Sequence, residues 1–213
     1  MKIGILGSGD VAKSLGVGFL THGHSVMLGT REPSKLADWQ KTKAPKAATA
    51  SFRETAQWGE VVVLAVKGSI AHTVLDAVGA PALSGKVVID ATNPIAEAAP
   101  TNGVIRFFTG PNESLMEKLQ AQVPQAHFVK AFNSVGSALM ANPKLPSRPS
   151  MFICGNDEGA KKTVTQLVDE LGWDAEDVGK VEGARAIEPL CMLWCVPGFL
   201  KNDWAHAFKV LRP

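Results

Sequence analysis

The sequence predicts an α/β fold built on a mostly parallel sheet, and three observations predict it. Short apolar runs alternate with helix-period segments at the spacing of βαβ units. The first run leads directly into Gly7-Ser8-Gly9-Asp10-Val11-Ala12, a G-x-G-x-x-A loop at the start of a helical pattern. The run Val61 to Val66 is continuous, as in a strand covered on both faces. Together they specify a Rossmann-like, doubly wound sheet. A small α/β and helical extension follows, with a dinucleotide-binding unit over 1–150 and the extension over 151–213.

The elements follow in order. Residues 2 to 6 read as a buried strand. From Asp10 to Thr21 the residues Val11, Leu15, Phe19 and Leu20 share one face, which predicts a helix. His22-Gly23-His24 is a turn, and Ser25 to Leu28 is the second strand. A short helix is expected over Ser34 to Lys41. Ser51-Phe52-Arg53-Glu54 is a capping box that opens another. Ile70 to Val78 is helical and Val87 to Asp90 is a strand. Residues 95 to 111 have no clear period and predict a long loop. Asn112 to Gln122 is a helix and His127 to Ala131 a strand. Met151 to Cys154 and Asp157 to Leu171 form a further strand and helix. Two apolar helices, Gly183 to Cys195 and Phe199 to Leu211, close the chain. Pro189 should distort the first, and Pro197-Gly198 should separate them.

Composition removes several functions. Of 213 residues, 20% are charged and 46% apolar, so a packed core is expected rather than disorder. A net charge of +2 gives no field for nucleic acid or an acidic membrane. Tyrosine is absent, which excludes every mechanism that needs a tyrosine acid. The cysteines Cys154, Cys191 and Cys195 have no framework spacing, so reduced thiols and a cytoplasmic setting are expected. No apolar run reaches the roughly 18 residues of a membrane span, and the start lacks the form of a signal peptide.

The glycine loop carries the first functional expectation. Gly7 allows a tight turn, Gly9 lets backbone approach a pyrophosphate, and Ala12 lets the helix sit close to the strand. The helix N-terminus then offers free N–H groups to the anion. In NAD binders a carboxylate about 20 residues further on takes the ribose 2′-OH. Here Thr30 and Arg31 end the second strand instead, with Lys35 one turn away. A hydroxyl and a guanidinium suit a 2′-phosphate, so NADP(H) is expected. Glu32 is the competing candidate for an NAD-selecting acid.

The usual catalytic equipment is missing. His22 and His24 belong to a turn, and Cys191 and Cys195 lack the further ligands of a metal site. Carboxylates are scattered without a convincing acid/base pair. The remaining candidates follow predicted strands: residues 65–69, 90–94 and 130–134. In an open parallel sheet, ligands lie beyond those carboxyl ends. Hydride transfer between two bound cofactors needs no tuned side-chain acid. It needs two rings at reacting distance and water excluded.

Several motifs occur in order: residues 3–12, Gly29-Thr30-Arg31, Asn93-Pro94, residues 129–133 and residues 153–157. Together they resemble the NADP-dependent reductases of the 8-hydroxy-5-deazaflavin coenzyme. They are also similar to the NADPH-binding domain of the six-transmembrane metalloreductases. The resemblance implies that Ser8, Gly9, Asp10 and Val11 hold the pyrophosphate, and that Thr30, Arg31 and Lys35 hold the 2′-phosphate. It implies that Val66, His72, Asn93 and Ala131 lie along the ribose and nicotinamide. The stretch Trp204 to Phe208 would close over that end. The chain departs from the archaeal reductases at Lys67-Gly68-Ser69, where they carry an apolar Pro-Trp.

The expected function is hydride exchange between NADP(H) and a deazaflavin coenzyme, FMN or FAD. The alternatives are a non-catalytic NADP(H)-binding redox sensor and a small imine or keto-acid reductase. The partners expected are small-molecule cofactors, with no nucleic acid and no membrane. The apolar run Leu190 to Leu200 suggests either a helix buried all round or a homodimer interface.

Overall fold

Strand β1 (Lys2–Leu6) leads into α1 (Asp10–Thr21) and β2 (Ser25–Gly29). Helix α2 (Ala37–Lys43), strand β3 (Ala48–Ala50) and α3 (Phe52–Trp58) follow. Strand β4 (Val61–Leu64), α4 (Ala71–Val78), β5 (Val87–Asp90), α5 (Leu115–Gln122) and β6 (His127–Lys130) continue the alternation. The chain ends with β7 (Ser150–Gly155), α6 (Glu158–Glu170), β8 (Asp174–Asp177) and α7 (Ala184–Lys201). The computed structural model describes all 213 residues.

The strands form one sheet in the order β3-β2-β1-β4-β5-β6-β7-β8. All pairs are parallel except β6–β7, which is antiparallel. The predicted doubly wound, mostly parallel architecture is therefore present. The chain runs outward to β3, then returns to lay β4 against the other side of β1. That reversal makes the β1/β4 boundary the switch point, where ligands bind beyond the strand ends.

Side-chain alternation places apolar residues on both faces. Ile3, Ile5, Val61 and Val63 belong to one core cluster, with Leu15 and Phe19 of α1 and Leu167 of α6. Leu6, Val62, Leu64 and Val88 belong to the other, with Leu75 of α4 and Leu119 of α5. Every residue of β4 is buried, as its continuous apolar run predicts.

Local chemistry fixes several boundaries. The Ser51–Glu54 capping box is formed, with Glu54 N–H donating to Ser51 Oγ and Ser51 N–H donating to Glu54 Oε2. Ser114 caps α5, which starts at Leu115 rather than at Asn112, and Asp157 caps α6. The expected helix over Ser34–Lys41 divides into a 3₁₀ turn, Pro33–Leu36, and then α2. Strand β3 escapes sequence reading because Ala-Thr-Ala carries no apolar alternation. Strand β4 stops at Leu64, which leaves Ala65 and Val66 in the loop beyond it.

The largest correction is at the carboxyl end. Helix α7 is one continuous helix through Pro189 and Pro197, and no helix follows it. Asn202 ends it in the left-handed conformation, with φ 54°. Gly198 is a packing glycine, not a break. A Cβ there would lie 2.3 Å from the Trp204 ring, which folds back onto the helix. No helix is long and apolar enough to cross a membrane.

Candidate functional site

Five adjacent strands, β2, β1, β4, β5 and β6, end along one edge of the sheet. Their register brings the predicted residues into one line. Gly7 N–H donates to Gly29 O at 2.9 Å, Ala65 N–H to Leu6 O at 2.9 Å, Ala91 N–H to Leu64 O at 3.1 Å and Ala131 N–H to Asp90 O at 3.1 Å. Beyond these ends stand, in order, Thr30–Arg31, Gly7–Val11, Val66, Asn93 and Ala131.

The glycine loop is built as its sequence requires. Gly7 has φ +145°, and a Cβ there would lie 2.2 Å from Ala65 O. Gly9 is the N-cap of α1, the helix has no side-chain cap, and a Cβ on Gly9 would meet nothing within 4 Å. The empty space and the uncapped first turn fit a pyrophosphate. Gly9 and Asp10 are exposed, while Ser8 and Val11 are half-buried. At the end of β2, Thr30 is buried, with its Oγ1 3.5 Å from Ser8 Oγ and accepting from Glu32 N–H at 3.3 Å. Arg31 is exposed and has no carboxylate within ion-pair distance. Lys35, in contrast, is paired with Glu32 at 2.9 Å, so Glu32 and Lys35 largely cancel. Arg31 is the uncompensated cation at this end.

At the other end the loops are tied by side chains. Asn93 Nδ2 donates to Asn133 O at 2.8 Å, and Asn133 Nδ2 donates to Asn93 Oδ1 and Ile187 O, each at 3.1 Å. Phe132 between them is buried with φ 62°, a strained backbone for a bulky residue. Ala131 is fully buried and Asn93 and Val66 are half-buried. His72 lies one turn further on, near the start of α4. Its Nδ1 is 2.7 Å from Gln122 Oε1, so α5 holds it.

Sequence reasoning missed a buried charge cluster behind these loops. Lys130 Nζ lies 2.7 Å from Asp90 Oδ2 and 2.9 Å from Glu188 Oε1, and donates to Thr92 O at 3.0 Å. All three side chains are essentially buried. Asp90 Oδ1 accepts from Thr92 N–H and Oγ1–H, and Glu188 accepts from the first two N–H groups of α5. Burial works against the ammonium, but the two carboxylates outweigh it and hold the Lys130 pKa above the usual lysine value. The carboxylates that look scattered in the sequence thus meet, as a locked ion cluster. The legible signal is a charge ending each of two buried strands, Val87–Asp90 and His127–Lys130.

The carboxyl-terminal strap reaches the same end of the sheet. Because β7 runs antiparallel to β6, its Ser150 end projects past the end of β6, where Ser150 N–H donates to Phe208 O at 2.9 Å. Trp194 Nε1 donates to His206 O at 2.8 Å, and the Trp194 ring packs on Gly136 of the loop after β6. Cys191 is buried and Cys195 half-buried, as apolar-helix thiols. Their contact and burial raise the Cys191 pKa, and the same contact lowers that of Cys195.

Comparison with known proteins bears on this cleft. Residues 2–94 match the family described as NADP oxidoreductase, coenzyme F420-dependent. The F420-dependent NADP reductase of Methanocaldococcus jannaschii is 28% identical, over 91% of this chain and 90% of its own. The metalloreductase STEAP3 of Rattus norvegicus is 32% identical over 93% of this chain, which spans only 39% of that relative. A crystal structure of a candidate F420-dependent NADP-reductase from Arthrobacter sp. FB24 superposes with a TM-score of 0.92 at 31% identity, covering 100% of both chains.

Proposed function

Because the chain belongs to the family of coenzyme F420-dependent NADP oxidoreductases, we propose that it transfers hydride between NADP(H) and a deazaflavin or flavin acceptor. The observation that carries this reading is the composition of the cleft. A backbone cradle and the unpaired Arg31 stand at one end. At the other, the charged residues that end β5 and β6, Asp90 and Lys130, are buried and ion-paired, with Glu188 completing the cluster. Groups locked in that way serve as scaffold rather than as titrating acids, which suits a reaction that needs none.

NADPH, when bound, would supply a hydride to the acceptor ring. The chain's own part is to hold and to exclude. The uncapped first turn of α1, through Ser8, Gly9, Asp10 and Val11, binds the pyrophosphate by backbone N–H groups. Thr30 and Arg31 bind the 2′-phosphate, with Lys35 a weaker contributor because Glu32 faces it. Val66, Asn93 and Ala131 flank the ribose and nicotinamide, and His72 supports that side from α4. The strap from Trp204 to Phe208 shields this end from water. FMN and FAD stand beside deazaflavins as acceptors.

Exposed Leu193, Phe199 and Leu200 on α7 favour the homodimer over a helix buried all round. Val104 and Phe108 of the long loop are also exposed, and Gly103 packs against Leu200, which extends the patch.

The test is to mix the protein with NADPH and each of a deazaflavin, FMN and FAD, and follow nicotinamide absorbance. Oxidation of NADPH that depends on one ring class supports the reading. Tight NADPH binding with no turnover on any ring replaces it with the redox-sensor alternative.

A further inference from the structure

A cavity of 390 Å³ lies along α1, and none of the residues assigned to the dinucleotide lines it. Ala12, Leu15 and Phe19 of α1 face the core, and Lys13, Ser14, Val17 and Thr21, on the opposite stripe, form the cavity floor. Two glycines of the helix let the walls approach. A Cβ on Gly16 would lie 3.5 Å from the Trp39 ring, and a Cβ on Gly18 would lie 2.6 Å from that of Ala141. Trp39 of α2 and the loop Ala141–Asn142 therefore stand on either side of the floor. Lys43, one turn beyond Trp39 on the same face of α2, completes the lining.

The hydrogen-bonding capacity left over in this cavity is mostly donor. Ser14 donates its hydroxyl proton to Ser137 O and Thr21 donates to Val17 O, so both protons are used within the fold. Asn142 Oδ1 lies 3.2 Å from His22 Nε2, which leaves the amide N–H groups of Asn142. Lys13 and Lys43 have no carboxylate within 4.0 Å, whereas Lys161 and Lys209 are both paired, and no acidic residue lines the cavity. The ligand that suits these groups is an anion. Trp39 is half-buried, so part of its indole stays open to the cavity as a surface for a flat ring.

We propose that this cavity is a second nucleotide site, which takes a nucleoside monophosphate with its base against Trp39 and with Lys13 and Lys43 as counter-ions to its phosphate. Charge agrees with this class of ligand. A phosphate monoester carries about −1.5 to −2 charge at pH 7, which two ammonium groups balance. Each lysine is a point charge on a flexible four-carbon stem, so the two converge on one phosphate without a fixed geometry. Size agrees as well, since pockets for small molecules begin near roughly 300 Å³ and this one measures 390 Å³. The site shares no residue with the cleft at the strand ends, so it stands apart from the hydride-transfer reading.

The experiment is equilibrium dialysis of AMP, adenosine and inorganic phosphate against the full chain, with and without NADP⁺ in excess to fill the dinucleotide cleft. With NADP⁺ present, AMP is expected to bind once per chain, at least about ten-fold tighter than adenosine or inorganic phosphate, each of which supplies only part of the contact. Lys13→Gln and Lys43→Gln should each weaken AMP about ten-fold, and raised salt should weaken it too, since both cations are open to solvent. Trp39→Leu should cost about ten-fold through lost stacking. The affinity for NADPH should not move in either lysine variant. No AMP binding, or binding no tighter than that of inorganic phosphate, overturns the proposal. Displacement of AMP by NADP⁺ also overturns it, because the nucleotide would then occupy the cleft alone. So does AMP affinity unchanged in both lysine variants, which are surface changes that leave the core intact. AMP that binds equally with and without NADP⁺ and depends on Lys13 and Lys43 supports the site whatever becomes of the dinucleotide reading.

Discussion

The two ends of the cleft are made by different physics. The end formed by Gly7–Val11 and Thr30–Arg31 is backbone and open space. A Cβ on Gly9 would touch nothing, and Arg31 has no carboxylate partner. The end formed by Asn93, Ala131 and Asn133 is held by side chains from distant parts of the chain, with Lys130, Asp90 and Glu188 buried behind it. The first end is the one proposed to contact a ligand. The second is part of the fold and positions its loops through it. Substitutions should therefore separate affinity from stability according to the end they touch.

The largest effect should come from the buried cluster. Lys130→Met removes the cation and leaves two carboxylates unpaired in the interior, which costs about 3–5 kcal/mol of folding free energy. Urea denaturation reads this directly. The wild-type contribution has a pH limit of its own. The folded pKa of Lys130 lies above its ordinary value of 10.5, so the stabilisation is complete below that value and is lost as pH rises through the folded pKa. A Lys130→Met protein as stable as wild type would erase the contrast between the two ends.

Gly9→Val should show the opposite pattern. The new side chain enters space that no protein atom occupies, so the unfolding midpoint should stay within about 0.5 kcal/mol of wild type. In the proposed binding mode the pyrophosphate occupies that space, and NADPH affinity should fall at least about a hundred-fold, near 2.7 kcal/mol. Calorimetric titration beside a denaturation curve tests both halves. Unchanged affinity would place the phosphates elsewhere.

Arg31→Ala sharpens the account of the first end. Loss of one charge-assisted contact is worth about 1.5–3 kcal/mol, or about ten- to a hundred-fold in the Kd for NADPH. NADH lacks the 2′-phosphate and should lose far less. Because Arg31 is exposed, raised salt should narrow the difference. Equal losses for both cofactors would make Lys35 or the loop backbone the phosphate's partner.

The same contrast explains what the sequence made legible. Gly7 to Ala12 is a local pattern whose meaning lies within six residues, and the strand end Thr30–Arg31 is equally local, so the backbone-built end could be read directly. Strands β1, β2, β4 and β5 were legible because each is an apolar run between turns. The Lys130 cluster was not, because Asp90, Lys130 and Glu188 come from separate elements and meet only when β5, β6 and α7 pack. Helix α7 was misread for a related reason. Pro197-Gly198 is a local break signal, but Trp204 packs on Gly198 and the helix runs on. Tertiary packing overrode local propensity there.

The smallest expected effect on stability tests the apolar face of that helix. Leu200 is 57% exposed and Leu193 is 58% exposed, so neither is part of the monomer core, whereas Trp194 is 6% exposed and packs on Gly136. A charge at Trp194 would damage the fold and leave the question of assembly confounded. Leu200→Glu avoids this, and its folding free energy should change by no more than about 0.5 kcal/mol. If α7 pairs with a second copy, a carboxylate in the patch opposes association, and sedimentation should move from dimer to monomer. Turnover should fall with it where the partner helps shield the nicotinamide end from water. A folded Leu200→Glu protein of unchanged mass would instead make this patch an ordinary solvated surface, and the strap from Trp204 to Phe208 would have to close that end alone.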